Sequence, residues 1–181
     1  MNKLNPPQVF ETERLIVRKL KMSDAADIFH KYAKHPHLTK YVSWPTHKDI
    51  EDTNAFLAYA LEAWEKGTDY AYAILLKNEN ELIGSTGFIN EEGKVSIGYI
   101  INDQYSGKGY TTEAVIALNN WLKEQPEVYR IWAVCDMDNI ASVRVLEKAG
   151  MEREGVLRNW CKFINQENRA KDCLCFVLNK D

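Results

Sequence analysis

The residues best equipped for chemistry are Gln104-Tyr105-Ser106-Gly107-Lys108-Gly109-Tyr110. Two glycines spaced two apart let the chain bend sharply, so that successive N–H groups converge on one small volume. The apolar run at 95–101 before the bend reads as a strand, and 111–123 after it carries apolar residues at helical spacing. A helix starting there adds unpaired N–H groups and the positive end of its dipole. Strand, glycine turn and helix together would receive a phosphate-bearing ligand. On its own, a G-x-G turn also fits an ordinary strand-to-helix connection. The dinucleotide fingerprint G-x-G-x-x-G fails, because Thr112 stands at the third glycine. A Walker loop fails too, since no Gly-Lys-Ser/Thr follows at the required spacing.

A second pair lies further along. Asn139 is a good N-cap, and Ser142 falls at the third position of the helix it opens. Cys135, Cys161, Cys173 and Cys175 lack zinc-type pairing, and no metal is expected. Cys173 and Cys175 alternate along one strand face, where a bond between them would be strained. All four cysteines therefore read as free thiols in a reducing compartment. His35, His37 and His47 share one polar stretch, which loop polarity explains without catalysis.

Composition bounds the partners. At 181 residues, 45% hydrophobic and 27% charged, the chain is expected to form one domain over 1–181, with 1–8 as an N-terminal arm. A net charge of −3 gives no electrostatic case for nucleic acid or an anionic membrane. There is no long uncharged apolar segment, and the first residues lack a signal-peptide core. A cytoplasmic protein, monomer or homodimer, is the expectation.

The elements that must position these groups follow from periodicity. Residues 9–20 read as a first strand, and Ser23 as the N-cap of a short helix presenting Ile28, Phe29 and Tyr32. His35-Pro36-His37 ends that helix, and 37–48 reads as a loop. The run 49–66 is a helix with Ile50, Thr53, Leu57, Ala60, Leu61 and Trp64 on one face and Gly67 as its stop. Strands at 69–77, 81–89 and 95–101 follow in meander order. Next come a helix with Ala114, Val115, Leu118 and Leu122, a strand at 129–136, a helix at 139–149, and a last antiparallel pair at 151–160 and 168–178. The fourth strand reaches the fifth through a helix, so those two are expected to be parallel. The fold class is α/β.

This order, with Q-x-x-G-x-G at 104–109, resembles the GNAT superfamily of N-acetyltransferases along nearly the whole chain. It is most similar to the branch containing ribosomal-protein N-terminal acetyltransferases. The marks are Glu13-Arg14-Leu15, Gly107 to Ala114, Asn139-Ile140-Ala141-Ser142, Leu146 to Met151, and Glu154-Gly155-Val156-Leu157-Arg158. The resemblance implies a single domain with a mixed, mostly antiparallel sheet flanked by helices. Its fourth and fifth strands would splay to admit acetyl-CoA as co-substrate. The N–H groups of Gly107, Lys108, Gly109, Tyr110 and Thr111 would take the pyrophosphate, and Gln104 would orient the turn. The Lys108 side chain either adds charge or is merely solvated. Tyr99, Ile100 and Ile101 would pair their main chain with the pantetheine arm, their side chains serving packing. A main-chain N–H at Tyr99 or Ile100 would hold the oxyanion. By the same likeness Asn139 would bind the arm, and Ser142 would protonate the departing thiolate, a species that a helix N-terminus also stabilises. No cysteine falls at the thioester position, which implies direct attack by the amine in a ternary complex.

One position departs from the pattern. Many relatives carry Glu two residues before the Gly-Tyr pair, where this chain has Ser96. The base is then open among Glu91, Glu92, Asp136 and a histidine. An α-amine titrates near ~8 and a lysine amine near ~10.4, so a site without a dedicated carboxylate suits a protein N-terminal α-amine. Tyr41, Trp44 and Trp160 either wall a peptide slot or lie in core under a loop. If Glu51, Asp52, Glu62 and Glu65 line the cleft, a small cationic amine fits better. A module that binds acetyl-CoA without turnover is the remaining reading.

Overall fold

Along the strands the apolar residues alternate faces, and two layers of helix cover the two faces they define. The computed structural model describes residues 3–167 and 169–179. The first two residues of the arm and the expected strand start at Asn168 lie outside the described residues. The strands are β1 (Val9–Glu11), β2 (Leu15–Lys19), β3 (Asp69–Leu76), β4 (Glu81–Glu91), β5 (Lys94–Ile101), β6 (Arg130–Asp136), β7 (Glu152–Lys162) and β8 (Ala170–Leu178). They form one sheet in the order β1-β2-β3-β4-β5-β6-β8-β7, antiparallel throughout except for the parallel β5–β6 pair. The helices are α1 (Ala25–Ile28), α2 (Pro36–Thr39), α3 (Ile50–Lys66), α4 (Tyr110–Lys123) and α5 (Ile140–Lys148).

One face carries α4. Its Ala114, Val115, Leu118 and Leu122 are fully buried against Val17, Ile74, Val95 and Ile97. The α5 helix continues that layer, seating Leu146 on Ala133, Cys135 and Phe176. On the other face Leu57 and Ala60 of α3, with Ile28, cover Ala73, Leu75 and Leu82. The α3 boundaries follow from local chemistry. The Asp49 carboxylate accepts from the Glu51 and Asp52 N–H groups, and Gly67 takes the left-handed φ of 78° that closes the helix.

Three expectations need correction. The expected first strand at 9–20 is two antiparallel strands, β1 and β2, reversing at Thr12 to Arg14. Ser23 is not a cap; Asp24 does the capping, accepting from the Lys21 N–H at 2.8 Å, and the segment then winds through 3₁₀, α and π turns to Ala33. Residues 37–39 are not loop, because Pro36 opens a short helix with its fixed φ at the first helical position.

The feature that positions the site is the β5–β6 junction. These strands pair only at Lys94↔Arg130, Val95↔Ile131 and Ser96↔Trp132. Beyond that point β5 stays with β4 as far as Ile101, whereas β6 follows β8 as far as Asp136. The sheet opens between them, as the resemblance implied.

Asp69 heads β3, where burial raises its carboxyl to about 6, partly offset by the Tyr70 N–H. The unfolded carboxyl titrates near ~3.9, so the folded protein holds this proton more tightly. The resulting contribution to stability is complete below pH ~4 and is lost as pH rises through ~6. Asp69→Asn should raise stability at pH 7.5 by about 1–3 kcal/mol and change little at pH 4. Urea melts at the two pH values test this; an equal effect at both would rule out burial as the cause.

Candidate active site

The mouth of the opening is the turn between β5 and α4. The Asn102 side chain caps the short 3₁₀ segment Asp103–Tyr105 by accepting from the Gln104 N–H at 2.9 Å. The chain then passes through two left-handed residues, Gly107 at φ 76° and Gly109 at φ 84°, and enters α4. A Cβ on Gly107 would meet no atom within 4 Å, so the bend opens onto free space. Among the described residues the N–H groups of Gly107, Lys108, Gly109, Tyr110, Thr111 and Thr112 have no acceptor; the Glu113 N–H bonds Gly109 O at 3.0 Å and begins the regular ladder. Unpaired donors at a helix start fit an anion with several oxygens. The Lys108 ammonium lies 5.3 Å from the Tyr105 ring, and the Gln104 side chain lines a neighbouring cavity of about 370 Å³ with His30, His35 and His37.

Along the opening, Ile97 to Ile101 present their β6-facing edge without a strand partner. Val95, Ile97 and Tyr99 face α4 and α5, whereas Ser96, Gly98 and Ile100 face the α3 side. Gly98 has free space above it. Across the gap, Asn139 behaves as the sequence predicts, its side chain accepting from the Ser142 N–H at 3.2 Å.

Sequence reasoning assigned the Tyr99 side chain to packing, and the structure corrects this. Its hydroxyl reaches from β5 to α5 and lies 2.7 Å from Ser142 Oγ, while donating to Ser142 O at 3.2 Å. Burial raises the Tyr99 phenol far above its ordinary value, the Ser142 bond offsetting part, so Tyr99 remains a protonated donor. No local pattern signals this contact, because it depends on where α5 lands. Cys135 lines the same layer, and burial pushes its thiol up to about 11, which keeps it un-ionised and non-nucleophilic at neutral pH.

The base candidates separate cleanly. Glu91 and Glu92 sit at the β4–β5 turn, the end of β5 remote from the opening. His47 is buried, bonded to Thr53 Oγ1 at 2.7 Å and packed on Trp44 and Phe56; burial lowers its pKa. His35 bonds the His30 carbonyl and His37 pairs with Asp103. Asp136 is at the end of β6 beside the opening, accepting from the Asp138 N–H and from Gln166. Ser96 stands where the strands part, with Trp132 opposite, whose indole N–H is buried without an acceptor among the described residues.

On the acceptor side, Trp44 belongs to the core under the 39–48 loop, stacked on Phe56. Tyr41 touches the Asp138 carbonyl at the β6–α5 turn at 3.5 Å, and Trp160 is 53% exposed on the edge strand β7. The carboxylates that would favour a small cation if they lined the cleft, Glu51, Asp52, Glu62 and Glu65, lie on the exposed side of α3, where Glu62 pairs with Lys66 and Glu65 with Lys19. Two residues that sequence reasoning missed hold this side together. Asn165 donates to the Thr39 and Trp44 carbonyls and accepts from the Thr46 N–H and hydroxyl; Gln166 donates to the Lys40 carbonyl and to Asp136. Their only sequence signal was a polar turn. Among the described residues no His, Cys, Asp and Glu cluster could hold a metal, and no helix is long and apolar enough to cross a membrane.

An opened parallel strand pair with a turn of unpaired N–H groups at its mouth is the architecture of this chain, and it matches a class of acetyltransferases. The family model "Acetyltransferase (GNAT) domain" matches residues 14–152, and the chain belongs to that family as an N-acetyltransferase. It is similar to an uncharacterized N-acetyltransferase, p20, of Bacillus licheniformis, at 30% identity over 93% of this chain and 94% of that one. It is also similar to the [ribosomal protein uS5]-alanine N-acetyltransferase of Escherichia coli, at 28% identity over 86% and 84% of the two chains. A ribosomal L7/L12 alpha-N-protein acetyltransferase solved with coenzyme A shares the fold at TM-score 0.83, with 19% identity over 96% and 99% of the chains.

Asn165→Ala removes four hydrogen bonds between the β7–β8 turn and the 39–46 loop. A loss of about 2–4 kcal/mol in stability is expected, with faster amide exchange confined first to residues 39–48. Uniform exchange across the chain would mean that Asn165 is not a local clasp.

Proposed function

We propose that this N-acetyltransferase carries acetyl from acetyl-CoA to a primary amine, most favourably a protein N-terminal α-amine. The observation that carries this reading is the parted β5–β6 edge, with free N–H groups from Gly107 to Thr112 at its mouth and Ser142 against its wall. A pyrophosphate fits that donor set, and an amide-rich arm fits an unpaired strand edge as an added strand would. Bound there, acetyl-CoA supplies the activated acyl group. Gly107, Lys108, Gly109, Tyr110 and Thr111 hold its phosphates, Gln104 borders the turn, and Tyr99, Ile100 and Ile101 supply main-chain partners. Asn139 orients the first turn of α5. Tyr99 holds the Ser142 hydroxyl at the wall; as the C–N bond forms and the C–S bond breaks, that hydroxyl passes a proton to the leaving sulfur and takes up the one the amine nitrogen loses.

The acceptor assignment rests on what the far side lacks. The α3 carboxylates that would attract a polycation are on the outer surface, where Glu62 pairs with Lys66 and Glu65 with Lys19. The loop beside Tyr41 is held by the neutral amides of Asn165 and Gln166. With Ser96 in place of a carboxylate, an amine that is already partly neutral at pH 7 is the easiest nucleophile. The solved and curated relatives that act on ribosomal proteins point the same way.

Release of CoA measured across short peptides with free α-amines, lysine side chains blocked, and across polyamines and aminoglycosides tests the reading. Turnover of the peptides alone is expected; turnover of small amines alone would overturn the acceptor assignment. Within the productive pairing, Ser142→Ala should lower kcat about 10–100-fold while calorimetry shows little change in CoA affinity. Tyr99→Phe should give a smaller loss, and the double variant should match Ser142→Ala. Additive losses would separate Tyr99 from Ser142.

A further inference from the structure

The helix that receives the diphosphate carries a carboxylate in its own first turn. Glu113 is ionised: burial pushes its carboxyl up, but bonds from Thr12 and Arg14 outweigh this and bring it below the ordinary value. Left alone, that charge would repel an anion at the same helix end. It is not left alone. Arg14, from the β1–β2 hairpin, places Nε and Nη2 each 2.7 Å from Glu113 Oε2 and its main-chain N–H 2.9 Å from Oε1. The Thr12 hydroxyl adds a bond of 2.6 Å to the same Oε1.

The same guanidinium reaches the turn itself. Nη1 donates to the Lys108 carbonyl at 3.1 Å, and the group lies 4.6 Å over the Tyr110 ring. A Cβ on Gly109 would come within 3.3 Å of Nη2, so the second glycine is also where the arginine approaches the backbone. One cation thus cancels the nearest anion, draws a carbonyl oxygen of the turn toward itself, and leaves the free N–H groups from Gly107 to Thr112 as the net polarity of the mouth.

We infer that Arg14 is a positioning residue of the cofactor site, masking the Glu113 charge so that the α4 N-terminus accepts the CoA diphosphate. The inference rests on the turn being the diphosphate site, as proposed above. Arg14 belongs to the segment Glu13-Arg14-Leu15, far from the turn in sequence, and brings the hairpin into the binding of a ligand it need not touch.

Calorimetric titration of CoA into five proteins tests it: wild type, Arg14→Gln, Glu113→Gln, the Arg14→Gln/Glu113→Gln double variant, and Gly107→Asp. Glutamine at 113 keeps oxygen acceptors for Thr12 and the Arg14 main chain while removing the charge. Arg14→Gln should weaken CoA binding about tenfold or more, Glu113→Gln should bind at least as tightly as wild type, and the double variant should recover most of the loss. A double variant as weak as Arg14→Gln, or an Arg14→Gln protein that binds like wild type, overturns charge masking. Thermal melts of each protein identify any that fail to fold, and the uncharged Arg14→Met variant then replaces Arg14→Gln, with the same rescue by Glu113→Gln expected. Gly107→Asp reports on the underlying reading separately. Its Cβ has room but its left-handed φ of 76° strains any side chain, so it acts by charge together with a local distortion of the turn, and undiminished CoA binding there would mean that the turn is not the diphosphate site at all.

Discussion

The separation of β5 from β6 after three residue pairs is the constraint from which the rest of the structure follows. Main-chain N–H and C=O groups of a central strand are normally paired, and leaving a run of them unpaired inside a sheet is costly unless water or a ligand completes them. Two pairings prevent the gap from closing. The β4 partner holds β5 through Gly84↔Ile101, and β8 holds β6 through Asp136↔Cys173. Each strand is committed to a neighbour on its outer side, so both inner edges face the opening. The α4–α5 layer then spans the gap from one face, with Tyr99 bonded to Ser142 as the one polar tie described from β5 to α5.

Electrostatics at the mouth follow from the same geometry. Because α4 begins just after β5 ends, the positive end of its dipole lies at the turn that closes β5. The structure sets ion pairs near that end, Arg14 with Glu113 and Lys31 with Glu81, and places His37 against Asp103. Ion-paired side chains contribute little net field, which leaves the backbone dipoles of the turn and the Lys108 ammonium as the groups that would act on the proposed anion.

Much of this was legible in the sequence, and the exceptions share one cause. The Gly107 and Gly109 bend, the buried stripe of α4, the Gly67 stop, the Asn139 cap and the parallel pair rest on local spacing, and all are present. The break of the expected strand at 9–20 was not legible. The reversal at Thr12 to Arg14 contains neither Gly nor Pro, and Glu113, about a hundred positions away, satisfies its Thr12 hydroxyl and Arg14 N–H. The Tyr99 contact and the Asn165 clasp are likewise made by elements distant in sequence. Trp44 was ambiguous for a related reason: an aromatic residue in a polar stretch reads the same whether it walls a cleft or roofs a core, and only the position of Phe56 decides.

The acceptor side extends this logic from the cofactor to selectivity. Its loop is fixed by side-chain amides: Asn165 uses both its donors and its acceptor on residues 39–46, and Gln166 donates to the Lys40 carbonyl and to Asp136 at the end of β6, while the nearby Asp138 pairs with Lys171. A wall of this kind has little free charge with which to attract a cation from a distance. The groups described along the opening act at contact range: the free space above Gly98, the Tyr41 ring at the β6–α5 turn, and the main-chain groups along β5. For the acceptor proposed above, such a surface suits a ligand that brings its own peptide groups and an amine that needs little help to lose its proton. Ser96 in place of a carboxylate and the outward-facing carboxylates of α3 both fit that proposal.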